Sequence, residues 1–421
     1  MAGWANYPRL EAEVFEPQDR VGVRTVVVEN ERIIARGSGK SYGDAALAPK
    51  LLSTLKLNRV LALDEDHGVL ECEAGALLSD LLKIIVPKGW FFHVTPGIKD
   101  ITVGGAIASD VHGKNHPTAG CFSNYLISFD LMTASGEIKT CSRHENTDLF
   151  WNSCGGMGWT GVILSAKFSL LKIKSTLMRQ KNVQVNNLES LFRAFEENRE
   201  WPYAAGWVDC TSADWRGWVL FATHHGTMES GRPLAFSEAP KRNVPFYAPS
   251  WFLNPLSIRV HNHFFFNKKR AEEEIVPLDK YFYPLDALQN WNRFYGKRGF
   301  VQYQFCLPEN NAFEGMRQVL ETIRRSSEVP FLTVLKRHGE RPPEAVHSFP
   351  IRGYSLALDF PRTRGIFDLV KALDALVWTL DGKIYLTKDA CSEPKMGRVD
   401  PRSFGEAMFS SLLRERISNL R

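Results

Sequence analysis

A chain of 421 residues with 44% hydrophobic content exceeds the usual size of one core and suits a globular protein of two domains. Its net charge of +5, with 24% charged residues, is too weak to argue for nucleic-acid binding, yet compatible with a phosphorylated substrate or an anionic membrane surface. Seven cysteines (Cys72, Cys121, Cys141, Cys154, Cys210, Cys306 and Cys391) include no Cys-x-x-Cys pair and are odd in number, which argues against a disulfide framework or zinc site and suits a reducing cytoplasm.

The opening Met1-Ala2-Gly3-Trp4-Ala5-Asn6-Tyr7-Pro8 lacks the basic and apolar regions of a signal peptide, and no apolar run reaches the roughly 18 residues of a membrane span, so a cytoplasmic location is expected. A strand-like run at 32–35 leads into the first glycine-rich loop, Arg36-Gly37-Ser38-Gly39-Lys40-Ser41-Tyr42-Gly43-Asp44. Its Gly39-Lys40-Ser41 imitates the end of a Walker A loop, but Ile34 stands where that motif needs its first glycine. A Rossmann fingerprint starting at Gly37 would need glycine where Tyr42 stands, and Pro49 interrupts a long helix.

A strand at 69–74 precedes a helix at 77–86, stopped by Pro87 and followed by a turn at Gly89. The second glycine-rich loop runs from Val103-Gly104-Gly105-Ala106 to Val111-His112-Gly113-Lys114-Asn115-His116. Two loops that let backbone N–H groups approach an anion suggest a pyrophosphate held from both sides, hence a dinucleotide cofactor. His112 and His116 have the i, i+4 spacing of a zinc pair, but Gly113 and Pro117 argue against a helix there and no acidic neighbour completes a site.

Strands at 126–131 and 162–171 complete an α+β pattern, and Lys172-Ile173-Lys174 marks an exit from a first domain, residues 1–175. Residues 176–382 then combine amphipathic helices at 188–200 and 312–325 with strands at 218–221 and 299–307, and a long loop is expected at 238–251. Along the strand at 299–307, Gln302 and Gln304 alternate with Tyr303 and Phe305, so both amides share one face and both rings the other. Taken alone, two amides on one face read as an exposed polar face.

These glycine loops, together with Gly3-Trp4, Gly155-Gly156-Met157-Gly158-Trp159-Thr160-Gly161, Tyr283-Pro284-Leu285-Asp286, Trp291-Asn292-Arg293, Ser348-Phe349-Pro350 and Tyr385-Leu386-Thr387-Lys388-Asp389, closely resemble the flavin-dependent decaprenylphosphoryl-β-D-ribose 2′-oxidases, of the vanillyl-alcohol-oxidase type. The motifs span most of the chain in the expected order. The resemblance implies a two-domain FAD-binding fold with a sheet-based substrate domain, the chain returning to the FAD domain over 383–421. It places Arg36, Gly37, Ser38, Gly39, Lys40, Ser41, Tyr42, Gly43, Asp44, Pro96, Gly97, Thr102, Val103, Gly104, Gly105, Ala108, Ser109, Val111, His112, Gly113, Gly158, Gly161, Val162, Ile163 and Tyr385 against the cofactor. Tyr42 stands where related flavoproteins can carry a flavin-linking histidine, so noncovalent FAD is expected.

The resemblance also makes Lys388 the catalytic lysine, with His112 and Tyr42 beside it, whereas a lysine ending a strand is usually a surface residue when taken alone. It sets Lys114, Gln302, Gln304, Lys336, Ser355 and Ala357 around the substrate, the two lysines facing a phosphate. Ser355 and Ala357 depart from the asparagine and cysteine of many members, and Arg398-Val399-Asp400-Pro401 follows Lys388 sooner than expected, as though a lid segment were missing. The implied reaction oxidises a polyprenylphosphoryl-β-D-ribose at C2′ to the 2′-keto sugar, the first half of epimerisation to arabinose for the cell envelope. The implied partners are the lipid-linked sugar, a separate NAD(P)H-dependent keto-sugar reductase, a quinone or oxygen as acceptor, and the inner face of the membrane as a peripheral contact. A flavoenzyme of the same fold acting on a soluble alditol, aldonolactone or nucleotide sugar is the alternative.

Overall fold

The computed structural model describes residues 1–226, 234–236, 238, 241–249, 251–392 and 408–419. Its α+β architecture is built on three main sheets. A three-stranded parallel sheet sets Glu13–Phe15 and Ile34–Arg36 on either side of Lys50–Ser53. A five-stranded antiparallel sheet runs in the order Val60–Asp64, Val69–Glu73, Val162–Ser169, Leu126–Met132, Ile138–Ser142.

The eight-stranded antiparallel sheet follows the order Glu273–Pro277, Leu177–Val185, Gly217–His224, Tyr203–Val208, Leu332–His338, Gly353–Pro361, Phe300–Pro308, Lys383–Ile384. Helices Leu188–Glu197, Glu309–Arg325 and Ile366–Thr379 pack on one face of this sheet, where Tyr303, Phe305, Leu356 and Leu358 join their apolar stripes in a common core. The period-2 alternation of the strands sends the intervening residues to the opposite face, towards the glycine loops.

Local chemistry explains where boundaries differ from expectation. The helix Leu78–Ile85 ends in a 3-10 turn, Val86–Lys88, because Pro87 lacks the N–H that a continuing α-helix would use, and Gly89 then turns at φ 83°. The second glycine loop contains an unexpected short helix, Val103–Ala108, whose first turn is capped by Thr102 Oγ1 accepting from the Gly105 N–H at 3.1 Å. His116 opens a separate one-turn helix, His116–Ala119, with Pro117 in its first turn, so it does not share a helix with His112.

The chain end folds back on the first glycine loop. Tyr42 N–H donates to Thr387 O at 3.1 Å, and Gly43 passes so close to the Asp389 carbonyl that a Cβ would overlap it. Arg416, on helix Leu412–Asn419, bridges Asp44 Oδ2 at 3.0 Å and Asp389 Oδ2 at 2.9 Å. Among the described residues no helix is long and apolar enough to cross a membrane. The segment from 398 to 401, and residues 239, 240 and 250 of the loop anticipated at 238–251, lie outside the described residues.

Candidate active site

A cavity of about 350 Å³ lies between the glycine loops and the open face of the eight-stranded sheet. One wall is nearly free of side chains: Gly37, Gly39, Gly97, Gly104, Gly105 and Gly158 line it. A Cβ on Gly97 would enter open space, and one on Gly105 would meet only Thr102 Oγ1, at 3.0 Å. Such a bare backbone wall admits a diphosphate to hydrogen-bonding distance, and the apolar Ile98, Ile101, Val111 and Ile163 beside it suit a flat ring system. The residues present therefore fit FAD.

Of the anticipated cofactor residues, Ser38, Lys40, Ser41, Tyr42, Pro96, Thr102, Ala108, Ser109, Val111, His112, Gly161, Ile163 and Tyr385 also line the cavity. Six stand behind its wall instead. The Arg36 guanidinium donates to Ala46 O at 2.8 Å and Ala2 O at 2.7 Å, holding the N-terminal segment in place. Asp44 is engaged by Arg416, and Gly43 by the Asp389 backbone. Val103 and Val162 are fully buried in apolar cores, and Gly113 packs against the Thr95 backbone and Asn115. These residues shape the loops that would hold the cofactor.

The opposite wall follows from strand register. Across Leu332–His338, Gly353–Pro361 and Phe300–Pro308, Leu332 pairs with Asp359 and Asp359 with Gln302; Val334 pairs with Ala357 and Ala357 with Gln304; Lys336 pairs with Ser355 and Ser355 with Cys306. Stepping by two puts these residues on the sheet face turned to the cavity, and those that line it grade from the amides of Gln302 and Gln304 at one end, with Asp359 buried behind them, to Lys336 and Ser355 at the other. Ala357 leaves space at its centre. All six substrate positions expected from sequence, Lys114, Gln302, Gln304, Lys336, Ser355 and Ala357, line the cavity.

Lys388 closes the amide end, its Nζ 3.7 Å from the Tyr42 ring centroid. Enclosure by protein lowers its pKa, Asp359 opposes that by raising it, and Lys336 lowers it further. A lysine so placed is neutral within reach of ordinary pH and can accept a proton. Asp359 is pushed up by burial, against Gln302 and Lys388, and it accepts a hydrogen bond from Gln302 Nε2. That bond leaves Gln302 Oε1 and Asp359 Oδ2 buried without partners. Burial also holds the Tyr42 phenol well above its usual range, so it is un-ionised.

The far end is cationic. Lys114 donates to Tyr281 O and lies 4.2 Å from the Tyr281 ring centroid. Burial lowers Lys114 to about 7, helped by Lys336, and lowers Lys336 to about 8. His112, His116 and His338 cluster here, with His338 centred 5.1 Å from His112 and 4.8 Å from His116. Burial, then neighbouring Lys336 and histidines, pushes their pKa values down, to about 4 for His116, so the rings are neutral. Among the described residues no group of three His, Cys, Asp or Glu side chains is arranged to hold a metal.

Asp359, His338 and Arg416 are site or site-supporting residues that sequence reasoning missed. Asp359 was within reach, since it lies two residues beyond Ala357 on the same strand face. His338 is likewise two residues beyond Lys336. Arg416 had no local signal.

A family model described as FAD binding domain matches residues 14–142, which contain both glycine loops, and the protein is a FAD-dependent oxidoreductase. The chain is 31% identical over 409 residues to the decaprenylphosphoryl-beta-D-ribose oxidase of Mycolicibacterium smegmatis, covering 93% of this chain and 88% of that protein. An uncharacterized protein in the mprA 5' region of Streptomyces coelicolor is 29% identical over 338 residues, which span 76% of this chain and 90% of its own. The L-gulonolactone oxidase of Scyliorhinus torazame is 31% identical over 170 residues, only 38% of either chain. The chain belongs to the decaprenylphosphoryl-β-D-ribose oxidase family.

Proposed function

We propose that the protein oxidises the C2′ hydroxyl of a polyprenylphosphoryl-β-D-ribose to the 2′-keto sugar. The observation that carries this reading is the graded wall: amides able to bind hydroxyls beside a lysine able to accept a proton, and two half-buried lysines at the other end. Bound FAD supplies a hydride acceptor for the carbinol hydrogen. Lys388 Nζ takes the hydroxyl proton, while the free Gln302 Oε1 accepts from a sugar hydroxyl and fixes the ring. Lys114 and Lys336 face the phosphate, where cationic donors offset its desolvation.

In this reading the keto sugar passes to a separate NAD(P)H-dependent reductase, which completes epimerisation to arabinose. A quinone or oxygen would serve as the electron acceptor, and the enzyme works as a peripheral protein at the inner face of the membrane. The test is anaerobic mixing of the purified protein with candidate substrates at equal concentration. A short-chain polyprenylphosphoryl ribose is expected to bleach the flavin faster than ribitol, xylitol or galactonolactone. Faster bleaching by a neutral polyol would replace this reading with that of an alditol or aldonolactone oxidase.

A further inference from the structure

Four of the five most exposed large apolar side chains among the described residues lie in one stretch: Phe246 at 73%, Trp251 at 72%, and Leu256 and Phe264 at 71%. Helix Pro255–Asn267 buries Ile258, Asn262 and Phe266 on its inner side. Leu256, Val260 and Phe264, each four residues apart, form an apolar stripe on the outer side. The inner side is firmly anchored: Asn262 Nδ2 donates to Asp209 Oδ1 at 2.9 Å, and Trp218 Nε1 to Phe266 O at 3.0 Å. The stripe is thus a fixed outward face, of a kind that soluble monomers rarely keep without a partner.

Charge indicates the partner. Residues 241–270 include six Lys and Arg and no Asp or Glu, and removing those six from the chain's +5 would leave −1. Arg242, Arg259, Lys268 and Lys269 are exposed. A two-fold contact between copies through this face would set like charges against one another, whereas an anionic bilayer attracts the same charges and accepts the aromatic side chains at its interface. The surface also adjoins the site, because Leu253 packs with Leu285 against the aromatic cluster of Tyr42, and both Tyr42 and Leu285 line the cavity.

We infer that the outer face of helix Pro255–Asn267, with Phe246 and Trp251, docks the protein onto an anionic phospholipid surface. That the protein works at a membrane, presenting its cavity to a lipid-linked sugar, rests on the function proposed above; the assignment of this face rests on the exposure and charge just given. The test is co-sedimentation of the FAD-loaded protein, without substrate, with phosphatidylglycerol–phosphatidylcholine vesicles and with pure phosphatidylcholine vesicles. Binding to the anionic vesicles is expected, weakening as salt rises. Leu256→Glu with Phe264→Glu should lower that partition at least about tenfold, and Lys268→Gln with Lys269→Gln should lower it on the anionic vesicles alone. FAD content and flavin bleaching by a water-soluble substrate should stay unchanged in all variants. Absent binding, or equal binding by wild type and the glutamate variant, would overturn the inference without touching the sugar chemistry. A dimer that the glutamates dissolve, with no vesicle binding, would assign the face to a second copy.

Discussion

Lys388 Nζ lies 3.7 Å from the centroid of the Tyr42 ring. The π face favours the ammonium form, so it opposes the burial that drives Lys388 towards neutrality. Tyr42→Phe keeps the ring, and the rising limb of the pH profile for anaerobic flavin reduction should stay in place. Tyr42→Leu removes it, and the limb should move to lower pH by about one unit, taking a desolvated cation–π contact as about 1–2 kcal/mol. Coincident limbs in the two variants would mean that the ring does not tune the lysine.

Lys114 and Lys336 have pKa values lowered in the folded state, so the unfolded chain binds more protons between about 7 and the usual lysine range. Their burden on stability is full below the folded pKa and disappears as pH rises towards the unfolded one. In denaturant titrations this contribution should raise stability from pH 7 to about 8.5, above which buried thiols such as Cys121 and Cys154, held well above their usual range, pull the other way. Lys336→Met should stabilise the protein at pH 7 by up to about 3 kcal/mol while weakening a phosphorylated substrate. Equal or lower stability of this variant at pH 7 would contradict the assignment.

His338 Nε2 and Ser355 Oγ are 2.7 Å apart, while His338 Nδ1 is buried without a partner. A bare lone pair is the cheaper orphan, so Nε2–H donates and the Ser355 hydroxyl is free to donate into the cavity. Ser355→Ala should retain FAD and raise KM about three- to tenfold, the worth of one hydrogen bond, with a smaller effect on kcat. Steady-state kinetics on the phosphorylated sugar would read this split.

Tyr42 offers no imidazole nitrogen for a bond to the flavin, and His112 is the one histidine among the cavity-lining residues. Acid precipitation should release intact FAD into the supernatant. Flavin retained on a peptide containing His112 would contradict noncovalent binding.

Both glycine loops were legible in the sequence because backbone access to a phosphate is a local property, written in consecutive residues. The amide pair was legible too, since strand period alone puts Gln302 and Gln304 on one face. What escaped depends on contacts between distant segments. Asp44 reads as part of a phosphate loop until helix Leu412–Asn419 brings Arg416 to it, and Arg36 reads the same way until the N-terminal backbone closes over it. The histidine cluster beside the lysines needed His338 to meet His112 and His116 across separate elements, which no local spacing signals.

The most direct test is anaerobic rapid mixing of the Lys388→Ala variant with polyprenylphosphoryl ribose. Loss of the group that takes the hydroxyl proton should leave FAD bound and slow flavin reduction by about a hundredfold or more. Lys388→Arg should not restore the rate, because a guanidinium stays protonated. Flavin reduction at near wild-type rate in either variant would contradict the account.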